Sequence, residues 1–259
     1  MKHPTISIIT ATFNSSATLE KSILSVISQT YKNYEYIIID GDSKDGTKEL
    51  IAKYKHYITY SISEKDKGIY DAWNKGIAKA TGDWVMFIGA DDFLFPDTLE
   101  SYVEFINQES TDSTLYISSK VHLLSLDGKI TRTYGWPWQW KSFKRINLIA
   151  HPGSLQSMKL FKSYGNYDIS YRIVGDYELL LRPREKLNAL FLNKITAYVT
   201  EGGASSKIET FFELRKAVLN SNSTSKVQAF FDFYVQLIKY YGRNLGKKFG
   251  LTLYLRKEF

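Results

Sequence analysis

The first hundred residues constrain the fold most, because apolar, β-branched runs alternate there with helix-patterned segments. "TISIITA" at 5–11, "YEYIIID" at 34–40, "YITYSI" at 57–62 and "DWVMFIG" at 83–89 read as strands. Between them, "SSATLEKSILSVISQT" sets Leu19, Ile23, Val26 and Ile27 on one helical face behind serine caps. A short helix is expected near 47–54, and "IYDAWNKGIAKA" has helical spacing. Strands apolar on both faces and separated by helices predict an α/β fold with a parallel sheet covered on both sides. Ligands of such sheets bind in the crevice beyond the carboxyl ends of the strands. Thr10 to Asn14 follow the first strand, Asp40 and Asp42 the second, and Asp91 and Asp92 the fourth, so these carboxylates are expected to converge.

Beyond residue 105 the pattern changes. "STLYISSKVHLLSLDGKITRTYG" has the signal of an antiparallel hairpin about Asp127-Gly128. The aromatic loop "GWPWQW" and "HPGSLQSMKLFKSYG" follow, then a helix from Gly175 to Leu187 and two short strands near 189–199 leading to "EGGASS". The chain therefore divides into 1–105, 106–206 and a tail at 207–259.

At 259 residues, 44% hydrophobic and 15% aromatic, the chain buries a sizeable core and is not disordered. Without cysteine there is no disulfide framework, thiolate zinc site or thiol nucleophile, which fits a reducing compartment. The apolar run in "MKHPTISIIT" is too short for a signal peptide, and no window reaches the roughly 18 apolar residues of a spanning helix, so a cytosolic-side protein is expected. Six of the seven net positive charges fall in residues 207–259. A basic tail on a balanced body argues against a nucleic-acid binder.

From Phe230 to Phe249 the tail sorts into two faces at helical spacing. Phe230, Tyr234, Leu237, Tyr241 and Leu245 share one, and Asp232, Gln236, Lys239, Arg243 and Lys247 the other. Such a helix suits an anionic membrane surface, or it packs on its own domain or on a second copy in a homodimer.

Adjacent carboxylates after a buried strand suit Mg²⁺ or Mn²⁺, which one or two carboxylates hold together with substrate phosphates and waters. The other reading of Asp91 and Asp92 is a solvated turn, and Asp97 with Glu100 three residues on has the spacing of a helix cap. Neither a G-x-G-x-x-G nor a P-loop is present, and "HPGSLQ" lacks the second glycine of a nucleophile elbow.

"PTISIITATFNSSATLEKSILSVISQTYKNYEYIIIDGDSKDGT", followed by "SEKDKGIYDAWNKGIAKATGDWVMFIGADD", resembles the nucleotide-sugar-binding half of the family 2 glycosyltransferases. The likeness is dense over residues 4–100 and thinner to about 206. It implies a GT-A (Rossmann-like), mostly parallel central sheet with helices on both faces, here with a helical C-terminal tail. The three segments then become a nucleotide-sugar-binding half, an acceptor-binding half and the basic tail. By the resemblance Thr12 and Asn14 line the donor nucleotide, Asp40 hydrogen-bonds base or ribose, and Lys67, Gly68, Asp71 and Asn74 shape the diphosphate and sugar site. Asp91 matches the last acid of the metal-binding D-x-D, with Asp92 assisting, whereas Gly89 stands where the first acid is usual. "GDYELLLR" resembles the acceptor-side motif whose acid is the catalytic base, here Asp176. A helix-start carboxylate is also favoured there by the dipole alone.

The resemblance thus implies a metal-dependent inverting glycosyltransferase using Mn²⁺ or Mg²⁺. Its donor is a nucleotide-diphosphate sugar, a UDP-sugar by preference. Its acceptor is a glycan or a polyprenyl-diphosphate-linked glycan of a bacterial surface polysaccharide, and its place the cytoplasmic face of the inner membrane. Trp136, Trp138 and His151 are candidate acceptor contacts, against packing roles for all three, and "EGGASS" is either a closing loop or a simple turn. The competing class is a noncatalytic nucleotide-sugar or glycan-binding protein, suggested by Gly89.

Overall fold

The computed structural model describes residues 3–203 and 207–248. Chain order runs β1 (Ile6–Thr12), α1 (Leu19–Ile27), β2 (Tyr34–Asp40), α2 (Thr47–Lys53), β3 (Tyr60–Ser63), α3 (Ile69–Ile77) and β4 (Trp84–Gly89). Then come β5 (Phe93–Leu94), α4 (Thr98–Glu109), β6 (Tyr116–Leu124), β7 (Ile130–Tyr134), α5 (Trp140–Phe143), β8 (Leu155–Ser157), α6 (Met158–Tyr164) and α7 (Gly175–Leu181). β9 (Ala189–Thr200), α8 (Glu209–Asn220) and α9 (Lys226–Lys248) complete it.

The strands join in one sheet of order β3-β2-β1-β4-β8-β6-β9-β5, with β7 also on β6. β3, β2, β1 and β4 are parallel, as their two-sided apolarity requires, and the sheet is mixed beyond β4. Because side chains alternate along a strand, β4 sends Trp84, Met86 and Ile88 to one face and Val85 and Phe87 to the other. The first set packs with Leu19, Ile23 and Val26 of α1 and Leu99, Tyr102 and Ile106 of α4. The second packs with Trp73 and Ile77 of α3 and with buried residues of α6, α7 and α8. The register puts Thr12 opposite Asp40, Asp40 opposite Ser63 and Ala11 opposite Gly89, so the carboxyl ends form one rim.

Several expectations change in detail. α1 starts without a serine side-chain cap, because the Ser15 carbonyl accepts from the N–H groups of Thr18 and Leu19 instead. The third strand begins at Tyr60, after a 3₁₀ turn at Lys55–Tyr57. The helix from Gly175 stops at Leu181, because Pro183 cannot continue it, and a 3₁₀ turn follows at Arg184–Lys186. Residues 189–200 form one strand with register shifts against β6 rather than two short ones. Asp97 sits at the start of α4 but caps nothing, since its carboxylate takes Lys194 Nζ at 2.6 Å and Glu100 takes the Thr30 hydroxyl at 2.7 Å.

At the opposite, amino-terminal edge, Glu35 of β2 ties β1 to the loop that leads into β4. Its Oε1 accepts from Ser7 Oγ and Thr81 N at 2.5 Å and from Gly82 N at 3.1 Å, and its Oε2 from Thr81 Oγ1 at 3.0 Å. Burial pushes this carboxyl up, but the four hydrogen bonds outweigh it and leave the pKa below its ordinary 4.5. A depressed folded-state value means stability present above the unfolded pKa and lost as pH falls through the folded one. Glu35→Gln should therefore cost about 1–3 kcal/mol at neutral pH in denaturant unfolding. The gap to the wild type should close as pH drops below 4.5.

Candidate active site

The rim is built from three strand ends. After β1, Thr12 is buried and its Oγ1 has no hydrogen-bond partner, an orphan polar atom at the mouth of the crevice. Asn14 follows in the left-handed region at φ 49°. Its N–H donates to Ser43 Oγ at 2.7 Å and its Oδ1 accepts from Lys44 N at 2.9 Å, which locks the loops after β1 and β2 together. Asp40 is fully buried, with its carboxylate taken by Ser43 N at 3.0 Å and by Ser43 Oγ and Ser63 Oγ at 2.5 Å. It shapes the loop rather than presenting a free carboxylate to base or ribose. Asp42 pairs with Lys44 and Lys48, which hold its carboxyl down at about 2.

The start of α3 borders this rim. Gly68 sits at φ +118°, a conformation only glycine adopts easily, and its N–H donates to Asp66 Oδ1 at 2.8 Å. Asp71 reaches back to Lys67 N at 2.9 Å, leaving the Lys67 side chain exposed. Asn74 does not face the crevice with a free amide. Its Nδ2 donates to the Tyr167 carbonyl at 2.8 Å and its Oδ1 accepts from Tyr167 N at 3.0 Å, which fastens α3 to the segment before α7.

At the end of β4, Asp91 is exposed and Asp92 is buried. Thr200 N donates to Asp92 Oδ1 at 3.0 Å, and burial together with the neighbouring Asp91 charge pushes the Asp92 carboxyl up to about 7. A β-carbon at Gly89 would lie 2.7 Å from Asp92 Oδ2 and 3.0 Å from Asp91 Oδ1. Both carboxylates thus face one point above Gly89, and an acid at 89 would displace the Asp92 carboxylate from its place. Among the described residues no three His, Cys, Asp or Glu side chains form a metal cage. Two hard oxygen donors fit Mg²⁺ or Mn²⁺ only with substrate phosphate and water completing the shell.

Across the seam, Asp176 opens α7, half-buried. The Tyr70 O–H from α3 shares its single proton between the Ile173 carbonyl at 2.8 Å and Asp176 Oδ1 at 3.1 Å. Gly175 permits this approach, since a β-carbon there would stand 2.9–3.0 Å from the Tyr70 ring. Burial, with the Asp176 charge adding to it, pushes the Tyr70, Tyr116 and Tyr167 hydroxyls well above their ordinary value.

His151, expected as a candidate acceptor contact, lies in the core. It is buried, stacks on Trp73 at 4.8 Å, and its Nε2 meets Tyr167 Oη at 3.1 Å and Gln156 Nε2 at 2.8 Å, while burial lowers its pKa. Trp136 lies edge-on to Tyr134 at 5.0 Å and Trp138 packs on Phe143 at 4.3 Å, both half-buried, so packing accounts for much of each ring. Glu201, at the start of "EGGASS", accepts from the Thr131 hydroxyl at 3.0 Å, and residues 204–206 of that stretch lie outside the described residues.

The model of the family described as glycosyl transferase family 2 matches residues 7–154, which run from the second residue of β1 to the residue before β8 and include the strand-end rim. The chain belongs to this family. The Mycobacterium tuberculosis (strain ATCC 25618 / H37Rv) glycosyltransferase Rv1514c is 34% identical over 185 residues, 69% of this chain and 68% of its own. A "PGL/p-HBAD biosynthesis glycosyltransferase" of Mycobacterium bovis (strain BCG / Pasteur 1173P2) is 29% identical over 221 residues, 80% of this chain and 82% of its own. Among solved structures, S. aureus TarS 1-349 in complex with UDP-GlcNAc aligns with a TM-score of 0.69 at 17% identity, covering 93% of this chain and 74% of that one. The longer TarS chain aligns over 41% of its length with a TM-score of 0.65. The mannosyltransferase PcManGT from Pyrobaculum calidifontis, in complex with GDP-Man and Mn2+, aligns with a TM-score of 0.64 at 14% identity, over 87% of this chain and 66% of its own. The fold is GT-A, and the family 2 glycosyltransferase is an enzyme of sugar transfer.

Within this glycosyltransferase, Tyr70 and Gly175 are the residues that motif reading missed, and the only signal was their adjacency to Gly68 and Asp176. Tyr70→Phe removes the proton that Ile173 and Asp176 share. It should cost about 1 kcal/mol in thermal unfolding, and steady-state kinetics should show a lower kcat at unchanged donor affinity.

Proposed function

We propose that this glycosyltransferase inverts configuration, moving a sugar from a nucleoside-diphosphate sugar, with UDP as the favoured nucleotide, to a hydroxyl of a glycan or polyprenyl-diphosphate-linked acceptor. The pathway class is bacterial surface polysaccharide synthesis. The observation that carries this reading is the seat of Asp176: a half-buried carboxylate, oriented by Tyr70, where the donor-side helix α3 meets the later half of the chain. The named ligands UDP-GlcNAc and GDP-Man in TarS and PcManGT support a nucleotide-sugar donor.

In this mechanism Asp176 accepts the proton of the acceptor hydroxyl while that oxygen attacks the anomeric carbon from the face opposite the diphosphate. The new C–O bond forms as the bond to the diphosphate oxygen breaks, and the electron pair leaves with the nucleoside diphosphate. Thr12, Lys67 and Gly68 border the donor, with Asn14, Asp40, Asp71 and Asn74 holding the loops that shape its site. Asp91 and Asp92 would hold Mn²⁺ or Mg²⁺, which when bound supplies charge opposite the diphosphate. Residues 1–105 then form the donor half and 106–206 the acceptor half, to which Trp136 and Trp138 offer partly exposed ring faces. Gly89 favours one other reading, a noncatalytic nucleotide-sugar or glycan binder, which an assay of donor turnover with Mn²⁺ tests: turnover would exclude it.

α9 both packs and projects. Ala229 and Phe233 are buried against the body, Asp232 pairs with Arg145 at 2.6 Å, and Gln236 also faces inward. Phe230, Phe231, Tyr234, Val235, Ile238, Tyr241 and Leu245 are exposed, so much of the apolar face points away from the body. The side chains of Arg243 and Lys247 lie outside the described ones, as do Phe249 and the residues after it. No described helix is long and apolar enough to cross a membrane. An aromatic face followed by the cationic sequence at 239–257 fits an anionic membrane surface better than a homodimer, whose two tails would repel. We place the enzyme peripherally on the cytoplasmic face of the inner membrane.

Three variants test the reading. Asp176→Asn keeps shape but removes the proton acceptor, so donor binding by calorimetry should survive while transfer falls about 10² to 10⁴-fold. Asp91→Ala should weaken Mn²⁺-dependent donor binding and transfer together. Near-normal turnover by Asp176→Asn would assign the base elsewhere. For the tail, Phe231 and Ile238 are 61% and 70% exposed. Replacing both with Glu should abolish co-sedimentation with anionic vesicles without lowering the melting temperature, and retained co-sedimentation would refute membrane docking through this face.

A further inference from the structure

The turn before α7 carries a cation that no described residue of the protein pairs with. Arg172 is exposed, and no described acceptor or carboxylate takes any of the five N–H donors of its guanidinium. Its main chain, by contrast, is fixed. The N–H of Arg172 donates to both carboxylate oxygens of Glu213 at 2.9 and 3.2 Å, and those of Ile173 and Val174 donate to Glu213 Oε2 at 2.8 and 3.1 Å. One carboxylate from α8 thus gathers three successive amides, and the Arg172 side chain departs from a rigid base.

That side chain runs to the donor segment. Nη1 lies 2.7 Å from where a β-carbon would stand on Gly68, with Cδ at 3.6 Å and Cζ at 3.8 Å. The glycine at φ +118° therefore does two things: it makes the turn into α3, and it leaves the space that the guanidinium occupies. Lys67, next in the chain, is exposed as well. Two cations thus flank the start of α3, three residues of chain separate Arg172 from Asp176, and the carboxylate pair at the end of β4 lacks a third acid.

We propose that Arg172 is a diphosphate-binding residue of the active site, donating N–H groups from its planar fork to phosphate oxygens of the sugar donor. A fork of fixed donors matches phosphate geometry, and a cation there opposes the charge that builds on the departing diphosphate. A thin set of carboxylates at 91 and 92 holds metal weakly, which leaves more of that charge to side-chain cations. The assignment rests on the glycosyl-transfer reading given above. A diphosphate also occurs in a polyprenyl-diphosphate acceptor, so the experiment has an arm for each source.

Arg172→Ala and Arg172→Lys are compared with the wild type by calorimetric titration, in EDTA and again with Mn²⁺. The probes are UDP, GDP, UMP, inorganic pyrophosphate and farnesyl diphosphate. The Glu213 anchor is main-chain, so both variants should melt with the wild type. The expected result is a loss of UDP or GDP affinity on the order of tenfold in Arg172→Ala, with a smaller loss in Arg172→Lys, which keeps the charge but not the fork. UMP binding should change little, and in kinetics the donor KM should rise while the acceptor KM holds. Equal nucleoside-diphosphate affinity in wild type and Arg172→Ala overturns the proposal, and a loss confined to farnesyl diphosphate moves the residue to the acceptor. If the wild type binds no nucleoside diphosphate, the donor reading itself fails. The pyrophosphate arm then decides Arg172: an affinity lost in Arg172→Ala supports diphosphate binding, and an unchanged or absent one overturns it.

Discussion

The missing β-carbon at Gly175 lets the Tyr70 ring lie against the start of α7, and this contact joins the two chemical halves of the cleft. α3 belongs to the βαβ half and begins at the rim of strand ends, whereas α7 carries Asp176, the carboxylate proposed above as the base. Tyr70 bridges them through Ile173 and Asp176, and Asn74 repeats the bridge one turn later through the Tyr167 backbone. A substrate that spans both halves meets groups already fixed relative to each other. Such preorganisation makes electrostatic stabilisation effective without reorganisation during reaction.

The same economy governs charge around the rim. Asp40 and Asp42 look from sequence like open carboxylates converging on a ligand, yet each is committed to protein donors, which order the loops after β1 and β2. Among the described rim groups with free valence are the Asp91 carboxylate, one oxygen of Asp92, the orphan hydroxyl of Thr12 and the cations of Lys67 and Arg172. That inventory has hard oxygens and cations together, which is a set suited to a phosphate-bearing ligand with a divalent ion and ill suited to an apolar one.

What sequence reading recovers follows from how local each signal is. β2 falls at its expected bounds and β1 and β4 within a residue of theirs, because a strand buried on both faces must be apolar at nearly every position. The hairpin at Asp127-Gly128 is equally local, and Gly128 takes the positive φ its turn requires. β9 is not. Asn193 and Lys194 interrupt its apolar run and suggest two strands, but pairing with β6 carries it through with register shifts, and that partner lies some seventy residues away. His151 is lost for a similar reason, since Trp73, Phe87, Gln156 and Tyr167 close around it from four separate parts of the chain. Tyr70 and Arg172 differ again: their roles come from reaching across the seam, and nothing in residues 68–71 or 172–176 alone announces the reach.

α9 shows the limit of periodicity most plainly. Helical spacing separates its two faces, but which face meets the body depends on what the body offers. Arg145 draws Asp232 inward, and Phe233, a residue in neither of the two faces read from sequence, is buried beside Leu214 and Val218 of α8 at a small recess they line together. Once those contacts set the rotation, Phe231, Val235 and Ile238 are committed to the outside whatever their hydrophobicity. A helix pinned by an ion pair and by the rings of Phe233 and Tyr240 against α8 can carry an apolar exterior without losing its place. Exposed apolar area of that extent on one helix marks an interaction surface, and the proposal of an anionic membrane as its partner rests on the neighbouring cationic sequence.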